Sequence, residues 1–263
     1  MTKATEPQVY FVGAGPGDAE LITVKGARLL REAGVVVFAG SLVDRELVRT
    51  YAPDAEVWDS AGMTLEETTR VLAQAVADGK PAVRLHTGDP SIYGAIQEQM
   101  AALAELGIGF RVVPGVTSAF AAAAALKQEL TLPEVSQTVI ITRLAGRTSV
   151  PERENLAAIA RLGATLVVYL SVGMIGEVVA ELLRGAYTTE TPAAVVARAS
   201  WPDEQVLEGT LADIAGLVTA AGIGKQAVIL VGDVLKARRE GLTAKSLLYD
   251  KKFSHEFRTG IVT

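Results

Sequence analysis

Val9-Tyr10-Phe11-Val12-Gly13-Ala14-Gly15-Pro16-Gly17-Asp18 is an apolar run that stops abruptly in a glycine-rich loop. Four consecutive apolar residues bounded by glycine read as a short strand buried on both faces. From about Ile22 to Ala33 the apolar spacing becomes helical, and Gly34 supplies the stop. The alternation continues: Val35–Phe38, Ala82–Leu85 and Phe110–Val113 read as buried strands, and Leu65–Ala77 and Ser91–Leu106 as helices. Strand and helix in turn predict an α/β half on a mostly parallel sheet. After about Thr117 the character shifts. An Ala-rich helix from Ser118 to Leu126 leads to Leu132-Pro133, a crossing point. Strand-like runs at 138–142, 165–170, 193–197 and 227–231 then alternate with helical patterns at 152–162, 175–183 and 211–221. This predicts a second α/β unit with room for antiparallel pairs. The expected division is 1–114, 115–236 and a tail at 237–263.

The composition bounds the function. Two domains suit 263 residues and 27.6 kDa. There is no Cys, so no disulfide, thiolate nucleophile or Cys-based metal site, and only His86 and His255 could supply imidazole; no metal site is expected. The formal charge is −5, with 25 Lys/Arg against 30 Asp/Glu. Residues 236–263 hold seven Lys/Arg and three Asp/Glu, leaving −9 on the rest. An acidic body has no general attraction for nucleic acid or anionic membranes. The basic tail, with Tyr249, Phe253 and Phe257 as anchors, reads as packed on its own body or a partner subunit; the alternative is an arm over an acidic ligand. No signal-peptide core follows the polar start, and the longest apolar stretch, Val112–Leu126, is too short and interrupted to span a bilayer. A soluble, cytoplasmic chain is the expectation, with no membrane or nucleic-acid partner.

Three loops carry the chemistry. Gly13-Ala14-Gly15-Pro16-Gly17-Asp18 lies between a strand and a helix, as a dinucleotide fingerprint would. Its third glycine falls one position early, and Pro16 removes a donor. The next strand ends in Phe38-Ala39-Gly40-Ser41, with no acidic residue for a ribose hydroxyl, and no G-x-x-x-x-G-K-[ST] occurs. NAD and P-loop chemistry are disfavoured. His86-Thr87-Gly88-Asp89-Pro90-Ser91-Ile92-Tyr93-Gly94 is the second loop. There Asp89 either caps the next helix or accepts from a ligand, and His86 is equally a base or a satisfied buried imidazole. Pro114-Gly115-Val116-Thr117-Ser118 is the third, a site for a carboxylate or simply a hydroxyl N-cap. Three glycine-bearing strand-end loops on one edge favour a ligand site over three unrelated turns.

In this order the motifs resemble the tetrapyrrole methylases, a class of S-adenosylmethionine-dependent methyltransferases, from Val9 to about Val234. Ala39–Val43, His86–Met100, Pro114–Ala125 with Glu129-Leu130-Thr131, and Gln137–Ile140 with Thr142-Arg143 and Gly146-Arg147-Thr148 resemble the branch that methylates precorrin-4 in cobalamin biosynthesis. So do Leu247–Asp250 and Phe253–Arg258. Uroporphyrinogen methylases usually carry Gly where Thr87 stands. The resemblance implies two α/β domains with a ligand cleft between them, S-adenosylmethionine as methyl donor and S-adenosylhomocysteine as its product. It implies that Pro16, Thr87, Gly88, Asp89, Ile92, Tyr93, Thr117 and Ser118 hold the donor. Leu170, Ala197, Gln226 and Ala227 would enclose its adenine, although Leu170 and Ala197 also read as plain core. Positioning and desolvation would do most of the catalytic work. His86, Asp44 and Tyr93 are candidate bases. Ser41, Arg143 and Arg147 are candidate substrate contacts, with Arg84 and Arg198 as further cations for its carboxylates. A homodimer is expected, from the resemblance and because two-fold dimers are the commonest soluble assembly. Other acceptors on this fold (ribosomal RNA, a translation factor) and a non-enzymatic binding module remain as alternatives; the acidic body disfavours RNA.

Overall fold

The computed structural model describes residues 8–241 and 246–261 and divides them into two compact units. The first comprises residues up to 121 together with 199–203, and the second 122–198 and 204 onward. The division thus falls inside a helix, seven residues past the expected 114, and the basic tail clusters with the second unit.

In the first unit the strands are β1 (Val9–Gly13), β2 (Val35–Phe38), β3 (Glu56–Asp59), β4 (Ala82–His86) and β5 (Phe110–Val113). The helices are α1 (Val24–Arg31), α2 (Arg45–Tyr51), α3 (Leu65–Ala77), α4 (Ile96–Glu105) and α5 (Ser118–Ala125). The sheet order is β3-β2-β4-β1-β5, all parallel. Alternate residues of the buried strands serve two cores. Val12, Val36, Phe38, Val83 and Leu85 pack with Leu29 and Leu30 of α1 and Leu47 of α2. Val9, Phe11, Val35 and Val37 pack with Leu72 of α3 and Leu103 of α4. Helices on both faces explain the unbroken apolar strands. Helix starts are fixed by side chains: Thr23 accepts from Gly26 N–H at 3.0 Å, and Thr64 and Glu67 form a capping box.

The helix expected from Ser91 begins only at Ile96. Tyr93 and Ala95 are left-handed, with φ of 55° and 48°, so 91–95 is a turn that re-aims the chain. The short α2 and the exposed strand β3 were absent from the periodicity reading.

The second unit contains β6 (Val139–Arg143), α6 (Leu156–Ala160), β7 (Thr165–Tyr169), α7 (Ile175–Leu182), β8 (Pro192–Ala197), β9 (Gln205–Thr210), α8 (Ile214–Ala220), β10 (Ala227–Val231) and α9 (Ala237–Glu240). Its order is β6-β7-β10-β8-β9; β6–β7 is parallel and the other pairs are antiparallel. Leu166, Val168, Val195, Ile229 and Val231 pack against Leu156, Val178, Leu182, Ile214 and Val218 of its helices. Among the described residues no helix is long and apolar enough to cross a membrane.

Candidate functional site

Because β1 lies between β4 and β5, the loops that follow these strands emerge side by side at the carboxyl edge of the sheet, where open α/β sheets bind ligands. Gly13, Gly88 and Gly115 meet there backbone to backbone. A Cβ at Gly13 would lie 2.6 Å from both the Gly115 Cα and the Gly88 oxygen. One at Gly115 would overlap that oxygen and sit 2.8 Å from the Gly13 Cα. The junction therefore requires residues without side chains. Gly88 N–H donates to the Gly15 carbonyl at 2.7 Å, and Gly15 N–H to the Gly88 carbonyl at 3.3 Å. The Asp89 carboxylate links the second loop to the third: it accepts from Ser91 N–H at 2.8 Å and from Gly115 N–H at 2.9 Å. Asp89 thus caps the 91–95 turn and not α4.

These bonds decide which ligand the glycine-rich loop can take. A phosphate cradle needs free N–H groups. Here Ala14 N–H is bonded to the His86 carbonyl, Gly15 N–H to Gly88 and Asp18 N–H to the Ser200 hydroxyl, while Pro16 has none. With the Gly17 N–H alone left over, the loop presents no cradle of N–H groups for a phosphate. Thr117 is buried, and its carbonyl takes the first-turn N–H groups of Phe120 and Ala121. Thr87, Ile92 and Ser118 are half-buried, and Tyr93 is exposed. Every first-unit residue expected to hold the donor lies on these three loops.

The sequence reading missed Ser200 and Trp201. The Trp201 indole N–H donates to the Pro16 carbonyl at 2.9 Å, and Ser200 Oγ accepts from Asp18 N–H at 3.0 Å. The available signal was one of only two tryptophans, in a Ser-Trp-Pro segment just beyond a strand.

In the second unit the β-ladders bring the expected residues to one sheet end. Ala197 pairs with Ala227, and Leu170 follows the last residue of β7 on the other side of β10. Leu170, Arg198 and Gln226 are left-handed, with φ of 55°, 50° and 53°. Three residues in this sparsely populated conformation thus cluster at one sheet end. Leu170 is 67% exposed, which removes the plain-core reading for it; Ala197 is buried. Arg198 N–H donates to the Gln226 carbonyl at 2.8 Å, and its guanidinium to the Gln226 side chain at 3.3 Å.

Arg143 is turned inward on its own loop, donating to the carbonyls of Leu144, Thr148 and Ser149. It shapes the loop, so it is not a free carboxylate partner. Arg147, at the exposed part of that loop, makes no hydrogen bond or ion pair among the described residues. Arg84 is buried, donating to Gln99 at 3.0 Å and to the Val37 carbonyl at 3.3 Å. Burial lowers its pKa to about 10, leaving it charged at neutral pH but out of reach of a substrate. Ser41 is exposed in the loop after β2, which Asp59 anchors through Gly40 N–H at 3.0 Å.

The candidate bases separate. Asp44 caps α2, accepting from Glu46 N–H at 2.9 Å. His86 is buried, 6.0 Å from the Phe11 ring centre, and its Nε2 has no hydrogen-bond partner among the described residues. Burial, reinforced by the Arg84 charge, pushes its pKa down to about 3. Its burial and lowered basicity favour the buried-imidazole reading of His86 over that of a base. Tyr93, exposed on the strained turn, remains. The His86 shift has a measurable consequence. The folded pKa is below the unfolded value of about 6.5, so the stabilisation is complete above that pH. It declines between pH 6.5 and 3 by up to about 1.4 kcal/mol per unit, as the unfolded chain binds the proton. Urea denaturation at pH 7, 6, 5 and 4 is expected to show a gentler acid decline for His86→Phe than for the wild type. Parallel declines would rule out a buried neutral imidazole.

A family model described as tetrapyrrole (corrin/porphyrin) methylases matches residues 8–215. A cobalt-precorrin-4 C(11)-methyltransferase of Methanocaldococcus jannaschii is 54% identical over 251 residues, covering 95% of this chain and 96% of that protein. A precorrin-4 C(11)-methyltransferase of Mycobacterium tuberculosis is 53% identical over 242 residues, covering 92% and 95%. Among solved structures, a cobalt precorrin-4 methyltransferase superposes with a TM-score of 0.85 at 47% identity, covering 87% of this chain and 95% of that one. The uroporphyrin-III C-methyltransferase of Thermus thermophilus, in complex with S-adenosylhomocysteine, superposes with a TM-score of 0.72 at 32% identity, covering 88% and 94%.

Proposed function

This chain belongs to the tetrapyrrole (corrin/porphyrin) methylase family, and on that premise we propose that it methylates precorrin-4 at C(11), giving precorrin-5 in cobalamin biosynthesis. It uses S-adenosylmethionine. The observation that carries the reading is the near-full-length identity to enzymes of this one step, 54% and 53%. The near-equal identities also favour a second form of it, in which the acceptor already holds cobalt.

The residues fit such a donor. It carries no phosphate, and the glycine-rich loop offers no phosphate cradle. S-adenosylmethionine supplies a methyl group activated on a sulfonium. Pro16, Thr87 and Gly88 would form the wall against it, and Thr117 and Ser118 would receive its methionine end. Leu170, Ala197, Gln226 and Ala227 are the second-unit residues proposed for the adenine, with exposed Leu170 supplying an apolar surface. Asp89 acts through the loops it joins. The rest of the work is orientation and exclusion of water around an electron-rich ring carbon, which needs no nucleophile from the protein. Tyr93 is the candidate to relay the proton the substrate loses, its hydroxyl oxygen taking that proton as its own O–H proton passes to solvent at this exposed position.

Arg147 is proposed to bind a substrate carboxylate. Arg147→Ala is expected to raise the tetrapyrrole KM about tenfold while leaving donor affinity unchanged, as loss of one charge-assisted hydrogen bond predicts. Equal losses for both ligands, read by titration, would remove that role. The reading also places the protein in the cytoplasm as a homodimer, supported by its acidic body and by the prevalence of two-fold assemblies; sedimentation equilibrium tests the latter. The reaction itself is tested anaerobically by mass spectrometry with S-adenosylmethionine and either precorrin-4 or cobalt-precorrin-4. Gain of one methyl group identifies the acceptor. No gain on either, with donor still bound, sends the assignment to another tetrapyrrole.

A further inference from the structure

We propose that Trp201 is a positioning residue for the methyl donor, holding the glycine-rich loop in the shape that accepts S-adenosylmethionine. The proposal rests on the methyl-donor reading above. Three of the five residues from Gly13 to Gly17 are glycine, so this loop has little conformational preference of its own. On one side Gly88 holds it through Gly15. On the other, Ala199–Asp203 clusters with the first unit although its chain neighbours on both sides belong to the second.

This segment grips the crest of the loop at three consecutive residues. The Trp201 N–H takes the Pro16 carbonyl at 2.9 Å. The indole lies so close over Gly17 that a Cβ there would fall within the ring. Ser200, itself left-handed with φ of 69°, accepts the Asp18 N–H at 3.0 Å. The grip explains two features together: Gly17 is required because a ring occupies the space of its side chain, and the Pro16 carbonyl and Asp18 N–H are taken by the segment. Trp201 also stands four residues after Ala197, so a short piece of chain connects it to residues proposed for the adenine.

The test uses Trp201→Phe, which keeps an aromatic ring and deletes the donor, and Trp201→Ala, which removes both. Calorimetric titration with S-adenosylhomocysteine and steady-state kinetics are run on each, with thermal melting to fix the folded fraction. Trp201→Phe is expected to raise the S-adenosylhomocysteine Kd and the donor KM roughly fivefold to tenfold, the usual worth of one hydrogen bond. Trp201→Ala is expected to raise both roughly 100-fold, with the tetrapyrrole KM unchanged in each variant. In a Trp58→Phe background Trp201 is the sole indole, and its emission is expected to shift on binding. Unchanged donor KM and Kd in Trp201→Phe overturn the proposal, as does a Trp201→Ala variant that loses only folded fraction. If Trp201→Ala does not fold, Trp201→Phe decides. Wild-type protein that fails to bind S-adenosylhomocysteine would remove the methyl-donor reading and this proposal with it, an outcome distinct from a binding wild type matched by its variants.

Discussion

Gly115→Ala is expected to destabilise the protein by about 3 kcal/mol and to weaken S-adenosylhomocysteine binding at least roughly 100-fold, a larger effect than any surface substitution would have. The added methyl has nowhere to go. It would overlap the Gly88 carbonyl oxygen and approach the Gly13 Cα to 2.8 Å, and all of these are backbone atoms just beyond or at the ends of neighbouring strands. Relief requires the β5 loop to lift away from the β1 and β4 loops, breaking the bond from Gly115 N–H to Asp89. Denaturant unfolding measures the first effect and calorimetry the second. Gly216→Ala is the matched control. It lies on the exposed face of α8, a Cβ there meets nothing within 4 Å, and it is expected to stabilise by about 0.5–1 kcal/mol. A folded Gly115→Ala with wild-type affinity would show that the three loops move independently.

Asp89→Ala is expected to leave a folded protein that has lost donor binding, with affinity down roughly 100-fold and stability down by about 2 kcal/mol. The carboxylate accepts two backbone N–H groups from two different loops, and a charged acceptor strengthens both bonds. Alanine orphans both donors and uncouples the β4 loop from the β5 loop. Asp89→Asn keeps one acceptor and turns its amide donors toward the other N–H, so it is expected to fall between wild type and alanine. Circular dichroism separates unfolding from loss of the site. Wild-type affinity in folded Asp89→Ala would refute the bridging role.

The fold was legible where side-chain pattern and burial agree. The run Val35–Phe38 is apolar throughout because helices cover both faces of the first sheet, whereas Ala82–Leu85 carries one buried cation, Arg84. Strand β3 escaped notice because all four of its residues are exposed, so Glu-Val-Trp-Asp carries no burial signal. Helix α4 was started five residues early because Asp89-Pro90 has the form of a helix entry; the left-handed turn at Tyr93 and Ala95 falls on residue types that do not announce a positive φ. At the site, the glycines announced a close approach, and their meeting at one point came from the strand order. His86 looked like chemistry because imidazole is rare here, yet it is buried on β4, a strand buried along its whole length. Arg143 and Arg147 were indistinguishable by residue type; only the direction of the Arg143 fork separates them. Trp201 was invisible because its partners lie about 185 positions away.

The discontinuity of the first unit bears on how the protein is made. A nascent chain emerging from the ribosome presents residues up to 121 first, but the segment that fastens the glycine-rich loop is synthesised about 80 residues later. At roughly 5–20 residues per second that is a delay of about 4–16 seconds. During it the sheet can assemble while its loop stays unfastened, so the amino-terminal portion matures only after most of the second has been translated. Competence to bind the donor is then expected to arise late in biosynthesis.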